Sequence, residues 1–112
     1  MATRSYLGEF EQMVLLSILH LGNEAYGPGV GRLLEERVGR EVTRGSLYAC
    51  LDRLERKGFV RWEIEAASSE QHGDRRRRFE VTEEGVENLR RSVEAFRELW
   101  VGLEGVLAGK TS

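Results

Sequence analysis

The spacing of hydrophobic positions changes along this chain, and each change marks a different element. Between Gly8 and Leu21 the apolar residues Phe10, Met13, Val14, Leu15, Leu16, Ile18 and Leu19 recur at helical spacing but crowd more than one face. The pattern predicts a helix that needs cover on two sides, from its own domain and from another chain. Gly22-Asn23 supplies turn chemistry at its end. A second helix is expected from near Tyr26 to about Val38, with Pro28 in its first turn and Gly39 as its stop. Gly27, Gly29 and Gly31 each weaken it by roughly 1 kcal/mol against Ala. Packing must therefore hold this helix, and the missing side chains let another backbone come close. A third helix, capped by Thr43, runs to about Lys57 and stops at Gly58. Leu47, Leu51 and Leu54 form its apolar face with Cys50 beside them. Gly45, Ala49, Asp52, Arg53 and Arg56 lie opposite, with Tyr48 on the flank.

The period then drops to two. Phe59 to Glu65 alternates, placing Val60, Trp62 and Ile64 on one side, as in a half-buried strand. Residues 66–74 are small, polar and Gly-containing, the makings of a long hairpin loop. Arg77 to Val81 reads as the returning strand. Thr82 caps a last helix whose apolar residues Val86, Leu89, Val93, Phe96, Trp100, Leu103 and Leu107 follow an alternating three-and-four spacing. Such a seam spans roughly 30 Å or more, longer than a small domain can cover. A second copy is the economical partner, because symmetric dimers are the commonest oligomers; folding back onto its own domain is the alternative. Phe10 and Val14 of the first helix join the seam residues in the expected dimer interface. The fold class is α+β, mainly α: a winged helix-turn-helix over residues 1–81 and a long dimerisation helix over 82–112.

At 112 residues there is room for one domain with a modest core. The formal net charge of −2 argues against nucleic acid and favours the competing picture of a winged helix that binds protein. Local counting reverses this. Arg40 to Arg61 holds six basic residues against three acids, and His72 to Arg78 holds four arginines against Asp74. Glu83 to Glu104 holds six glutamates against three arginines. Base sits in the middle and acid at the C-terminal end, as in a DNA reader with a separate assembly helix.

Other chemistry is scarce. Cys50 is the one cysteine, so no intrachain disulfide or cysteine metal cluster is expected. A buried thiol on an apolar face is inert more often than it is a redox switch. His20 and His72 lie far apart without ligands at metal spacing. The glycines lack the strand and the Lys-Ser/Thr or G-x-G-x-x-G spacing of a phosphate loop. Neither a Ser-His-Asp nor a paired-carboxylate arrangement is visible. No enzyme, cofactor or metal is expected. With no leader-like N-terminus and no run of about 18 apolar residues, the expected location is the cytoplasm, with no membrane partner.

A compact helix followed by a basic hairpin suits duplex DNA: the helix fits a major groove and the hairpin tip meets phosphate. Arg44 is placed for a phosphate or guanine contact. Arg53 and Lys57 can instead pair with a glutamate one turn away. Asp52 is compatible with three roles: pointing away from the backbone, accepting from a cytosine amine, or restraining Arg56. Among Arg75, Arg76, Arg77 and Arg78, the first two are expected nearest the tip.

Three stretches together resemble the PadR family of transcriptional regulators, in its short form with one C-terminal helix. They are Leu7-Gly8-Glu9-Phe10-Glu11-Gln12 with Val14-Leu15 and Ala25-Tyr26-Gly27; Gly45-Ser46-Leu47-Tyr48 with Leu51 to Val60; and Arg77-Arg78-Phe79-Glu80-Val81-Thr82-Glu83-Glu84-Gly85. The likeness covers nearly the whole chain. It implies that Tyr48 lies against the DNA backbone and that the wing arginines meet neighbouring minor-groove phosphates; packing under the wing is the alternative for Tyr48, and a solvated basic loop for the arginines. Where many relatives carry proline after that tyrosine, this chain has Ala49. The DNA-contacting set so expected is Thr43, Arg44, Ser46, Tyr48, Ala49, Arg53 and Arg75 to Arg78, on a palindromic operator. Some relatives bind flat aromatic compounds between dimer helices, which makes Trp100, with Phe96, the candidate effector site; plain interface packing is the alternative.

Overall fold

The computed structural model describes residues 7–66 and 75–109. It is a winged helix-turn-helix followed by a C-terminal helix. The order is α1 (Glu9–Leu21), a 3-10 turn (Gly22–Glu24), α2 (Gly27–Val38), α3 (Arg44–Arg56), β1 (Val60–Ala66), β2 (Arg75–Val81), α4 (Glu83–Trp100) and a one-turn α5 (Glu104–Leu107). Among the described residues no helix is long and apolar enough to cross a membrane. Residues 67–74 of the expected hairpin loop, which include His72, lie outside the described residues.

The core forms where three helices and the sheet converge. Val14, Leu15 and Ile18 of α1 meet Val30 and Leu34 of α2 and Leu47, Cys50, Leu51 and Leu54 of α3, closed off by Val60, Phe79 and Leu89. Burial pushes the Cys50 thiol up to about 11, which leaves it a packing residue. On α1 the two-sided apolar pattern has a physical outcome: Val14, Leu15 and Ile18 are buried while Leu16 and Leu19 stay exposed.

Local signals set the helix ends. The Thr43 hydroxyl accepts from the Ser46 amide (3.1 Å), and the Thr82 hydroxyl accepts from the Gly85 amide (3.0 Å). At the start of α1 the Glu11 carboxylate reaches back to the Gly8 amide (2.9 Å). Its second oxygen accepts from Lys57 (2.7 Å) and Arg53 (3.3 Å), tying α1 to the end of α3. Glu11 is only 6% exposed. Burial alone would raise its pKa, but the bonds from Lys57, the Gly8 amide and Arg53 outweigh it and hold the carboxyl below its ordinary value.

β1 and β2 form one antiparallel pair in which Trp62 faces Phe79, Ile64 faces Arg77 and Glu65 faces Arg76. β2 begins two residues before the expected start, since Glu65 and Ala66 find ladder partners in Arg76 and Arg75. The expected buried face fades along β1: Val60 is buried, Trp62 half-buried, and Ile64 exposed because the strand has run out past the core. The segment just before α2 pairs with the free edge of β2, where the Phe79 amide donates to the Ala25 carbonyl (2.8 Å) and Tyr26 forms a single bridge with Arg78.

α4 is rooted on the base of the wing. The Thr82 amide donates to the Phe59 carbonyl (3.0 Å) and its hydroxyl donates to the Gly58 carbonyl (2.7 Å). Gly85 makes this approach feasible, since a Cβ there would sit 2.3 Å from the Phe59 carbonyl oxygen. The first turns of α4 pack inward: Leu89 is buried, and the buried Ser92 hydroxyl accepts from the Leu7 amide (3.1 Å).

Two expectations for the C-terminal seam need correction. The helix does not run through to Leu107. It ends at Trp100, where Val101 is extended and Gly102 has φ 95°, so Leu103 lies just before, and Leu107 at the end of, the separate turn of α5. Val14 and Leu89 are enclosed by the chain's own core and present no surface to a second chain. What remains exposed is Val86, Val93, Phe96 (59%), Leu99 (78%) and Trp100 (37%) on α4 and Leu103 and Leu107 beyond it, with Phe10 half-buried beneath the Arg40 guanidinium.

Candidate nucleic-acid interface

α2, α3 and the wing meet around a cleft of about 650 Å³ lined by Tyr26, Gly27, Pro28, Arg44, Gly45, Tyr48, Arg76 and Arg77. No carboxylate is among these residues, although the chain as a whole is acidic. Arg44 comes from the first turn of α3 and lies 5.7 Å from the centroid of the Tyr48 ring. Arg77 reaches the same ring from β2 at 5.4 Å, while also lying over Trp62 (4.9 Å) and Phe79 (5.4 Å). Arg76 covers the Tyr26 ring at 4.2 Å. Aromatic faces attract guanidinium groups without neutralising them. The cations are oriented while their charge stays available to an anion.

Placement on α3 follows from its pitch. Tyr48 is four residues from Arg44, on the same flank. Arg53, nine residues on, falls roughly half a turn away. It binds Glu11 of α1 with Lys57, not a glutamate one turn away on its own helix. Arg53 is thus drawn to the side of α3 opposite the cleft. Thr43 and Ser46 satisfy one another at the cap, with the Thr43 hydroxyl donating to the Ser46 hydroxyl (3.0 Å) and the latter to the Thr43 carbonyl (3.1 Å). Both are exposed, as is Ala49.

The four wing arginines are not equivalent. Arg78 donates to Glu65 (3.0 Å) and Glu63 (3.4 Å), on the strand face away from Trp62 and Phe79. Its charge is met within the sheet. Arg76 and Arg77 enter the cleft. The backbone of Arg75 pairs with Ala66, and its side chain lies outside the described residues.

Three participants escaped the sequence reading of the site. Tyr26 donates a hydrogen bond to Glu65, which lowers the Glu65 pKa and raises that of the phenol. Glu65 then holds Arg78 as well. Gly27 forms the wall behind Tyr48. The available signal was the Tyr26-Gly27-Pro28 run, in which an aromatic and a glycine open a helix that needs neither. At the other end of the molecule, Trp100 and Phe96 lie exposed on the outer half of α4 together with Leu99.

Residues 15–91 match the transcriptional regulator PadR-like family. The fold is similar to that of a PadR family transcription regulator from Clostridium difficile (24% identity over 89% of this chain and 96% of that one, TM-score 0.63). It is also similar to a PadR-like transcriptional regulator from Bacillus cereus (21%, 88% and 90%, TM-score 0.68). A PadR family transcriptional regulator from Eggerthella lenta shares 26% identity over 86% of this chain and 84% of its own, with TM-score 0.62. No curated protein matches the chain.

Proposed function

The chain belongs to the PadR-like family of transcriptional regulators, and we propose that it acts as a homodimeric, sequence-specific DNA-binding repressor of nearby genes. The observation that carries this reading is the cleft, where Arg44, Arg76 and Arg77 converge around two tyrosines with no carboxylate in the lining. α3 enters a major groove with Thr43, Ser46 and Ala49 near the bases, and Tyr48 donates to a backbone phosphate. Arg75, Arg76 and Arg77 meet the flanking phosphates. Arg53 and Arg78, held by carboxylates, contribute least. A two-fold dimer then reads a palindromic operator whose half-sites lie about one helical turn, roughly 34 Å, apart.

Residues 1–81 form the reading unit and 82–112 the assembly segment. Self-association is supported by the exposed Val86, Val93, Phe96, Leu99 and Trp100 on α4 and by the exposed Leu103 and Leu107 beyond it, and the half-buried Phe10 of α1 is proposed to join them. The same aromatic pair, Phe96 and Trp100, suits a flat aromatic effector bound between the two chains. Tryptophan quenching by a panel of such compounds, lost in Trp100→Ala, is the expected result; no quenching across the panel removes the effector from the account.

Fragment selection from the source genome with the purified protein tests the central reading. The selected DNA should release steeply with added salt, and Ala at Arg76 and Arg77 together should lower the slope of log K against log[salt] by about two. Retention of no fragment would favour the protein-binding alternative.

A further inference from the structure

Gly27 is buried at the first position of α2, in ordinary helical backbone and not in the left-handed region. Propensity does not call for a glycine there, and the clash that Pro28 makes with the Cβ of a helical residue before it gives one reason for the missing side chain. The space around it gives a second, independent one. A Cβ at this position would sit 2.0 Å from the Tyr48 hydroxyl oxygen, 2.6 Å from Cζ and 3.3 Å from Cε1. A rigid ring cannot relieve such an overlap by bending its tip. The whole Tyr48 side chain would have to retreat by more than 1 Å.

That ring is shared. It carries the Arg44 guanidinium from its own helix and the Arg77 guanidinium from the wing. The neighbouring residue holds the start of α2 from the other side, since Tyr26 donates to Glu65 on β1 and lies beneath Arg76 on β2. The backbone at 26–27 is therefore stitched to the wing, and relief of the overlap falls on Tyr48 and its two cations.

We propose that Gly27 is a positioning residue for DNA binding: its lack of a side chain seats the Tyr48 ring, and through that ring sets the spacing of Arg44 and Arg77. This inference rests on the DNA-binding reading above. Gly27 touches no DNA in this scheme. Its effect passes wholly through Tyr48, which makes the coupling between the two positions the decisive measurement.

The test is a cycle of Gly27→Ala, Tyr48→Leu and the double variant, with affinity for a wild-type-selected fragment measured by fluorescence anisotropy and folding by circular dichroism. Leu removes the three Tyr48 atoms nearest to the new Cβ. Gly27→Ala is expected to keep its helical spectrum and lose at least tenfold in affinity. Tyr48→Leu should show a similar loss, and the double variant should bind no worse than Tyr48→Leu alone. An affinity for Gly27→Ala within twofold of wild type, or losses that multiply in the double variant, would overturn the proposal. Should Gly27→Ala fail to fold, recovery of folding in the double variant, with the affinity of Tyr48→Leu, carries the proposal. A double variant that also fails to fold sinks it. Wild-type protein that retains no fragment defeats both this inference and the DNA-binding reading, whereas wild-type binding with an unaffected Gly27→Ala defeats only the positioning role.

Discussion

The cleft between α3 and the wing and the outer half of α4 are both exposed, yet they meet water on opposite terms. In the cleft, Arg44, Arg76 and Arg77 rest on tyrosine and tryptophan faces and keep their charge for an anion. On α4, Phe96, Leu99 and Trp100 give water nothing to bond to. One surface is complete as it stands; the other is unfinished until apolar area covers it. A ligand for the first must bring charge and can come and go with salt. In the proposed dimer, the second is covered by the same stripe on an identical chain.

The sharpest way to break this contrast is Phe96→Asp combined with Trp100→Asp. Both side chains lie outside the core, so the chain should stay folded while self-association weakens by a hundredfold or more, about 3 kcal/mol, in sedimentation velocity. Its thermal midpoint should fall only by the share the proposed dimer contributes. An undisturbed dimer would mean that the stripe is not the interface.

Next in size is Glu11→Gln, which leaves Lys57 and Arg53 on the far side of α3 without their shared carboxylate. The expected cost is about 2 kcal/mol, seen as a fall in midpoint of roughly 5–10 °C. The pH dependence has a definite sign. The folded pKa of Glu11 lies below the unfolded value, so its stabilisation is complete above about pH 5 and is lost as pH falls through the folded value. The Gln variant should lack that acid limb; an identical acid profile in both proteins would remove Glu11 as its origin.

Within the wing, Arg77→Ala and Arg78→Ala separate a cation left for DNA from one held by Glu63 and Glu65. Arg77→Ala should cost about tenfold in affinity and lower the salt slope by about one, whereas Arg78→Ala should cost less than threefold. Equal effects would erase the distinction. The smallest expected change is Thr82→Ala at the root of α4, about 1 kcal/mol by chemical denaturation.

Legibility in the sequence tracked the range of the interaction. Thr43 and Thr82 were readable as caps because a hydroxyl meets an amide three residues on. The helices and the hairpin likewise declare themselves in periodicity. The break after Trp100 was hidden, since the three-and-four spacing of apolar residues continues to Leu103 and Leu107 straight through Val101-Gly102. Partition of the arginines was also hidden. Arg53 answers to Glu11 and Arg78 to Glu65, pairs that only tertiary contact creates. Gly27 could be seen to permit a close neighbour, but not that the neighbour is Tyr48.

The joint at the base of α4 has a mechanical consequence. Thr82 is bonded to both Gly58 and Phe59, and Gly85 lies flush against the same peptide, so there is no slack between the last helix and the strand pair it follows. These contacts fasten the start of that helix to the strand pair at three points. In the proposed dimer, the crossing of two such helices would set how far apart the two hairpins stand.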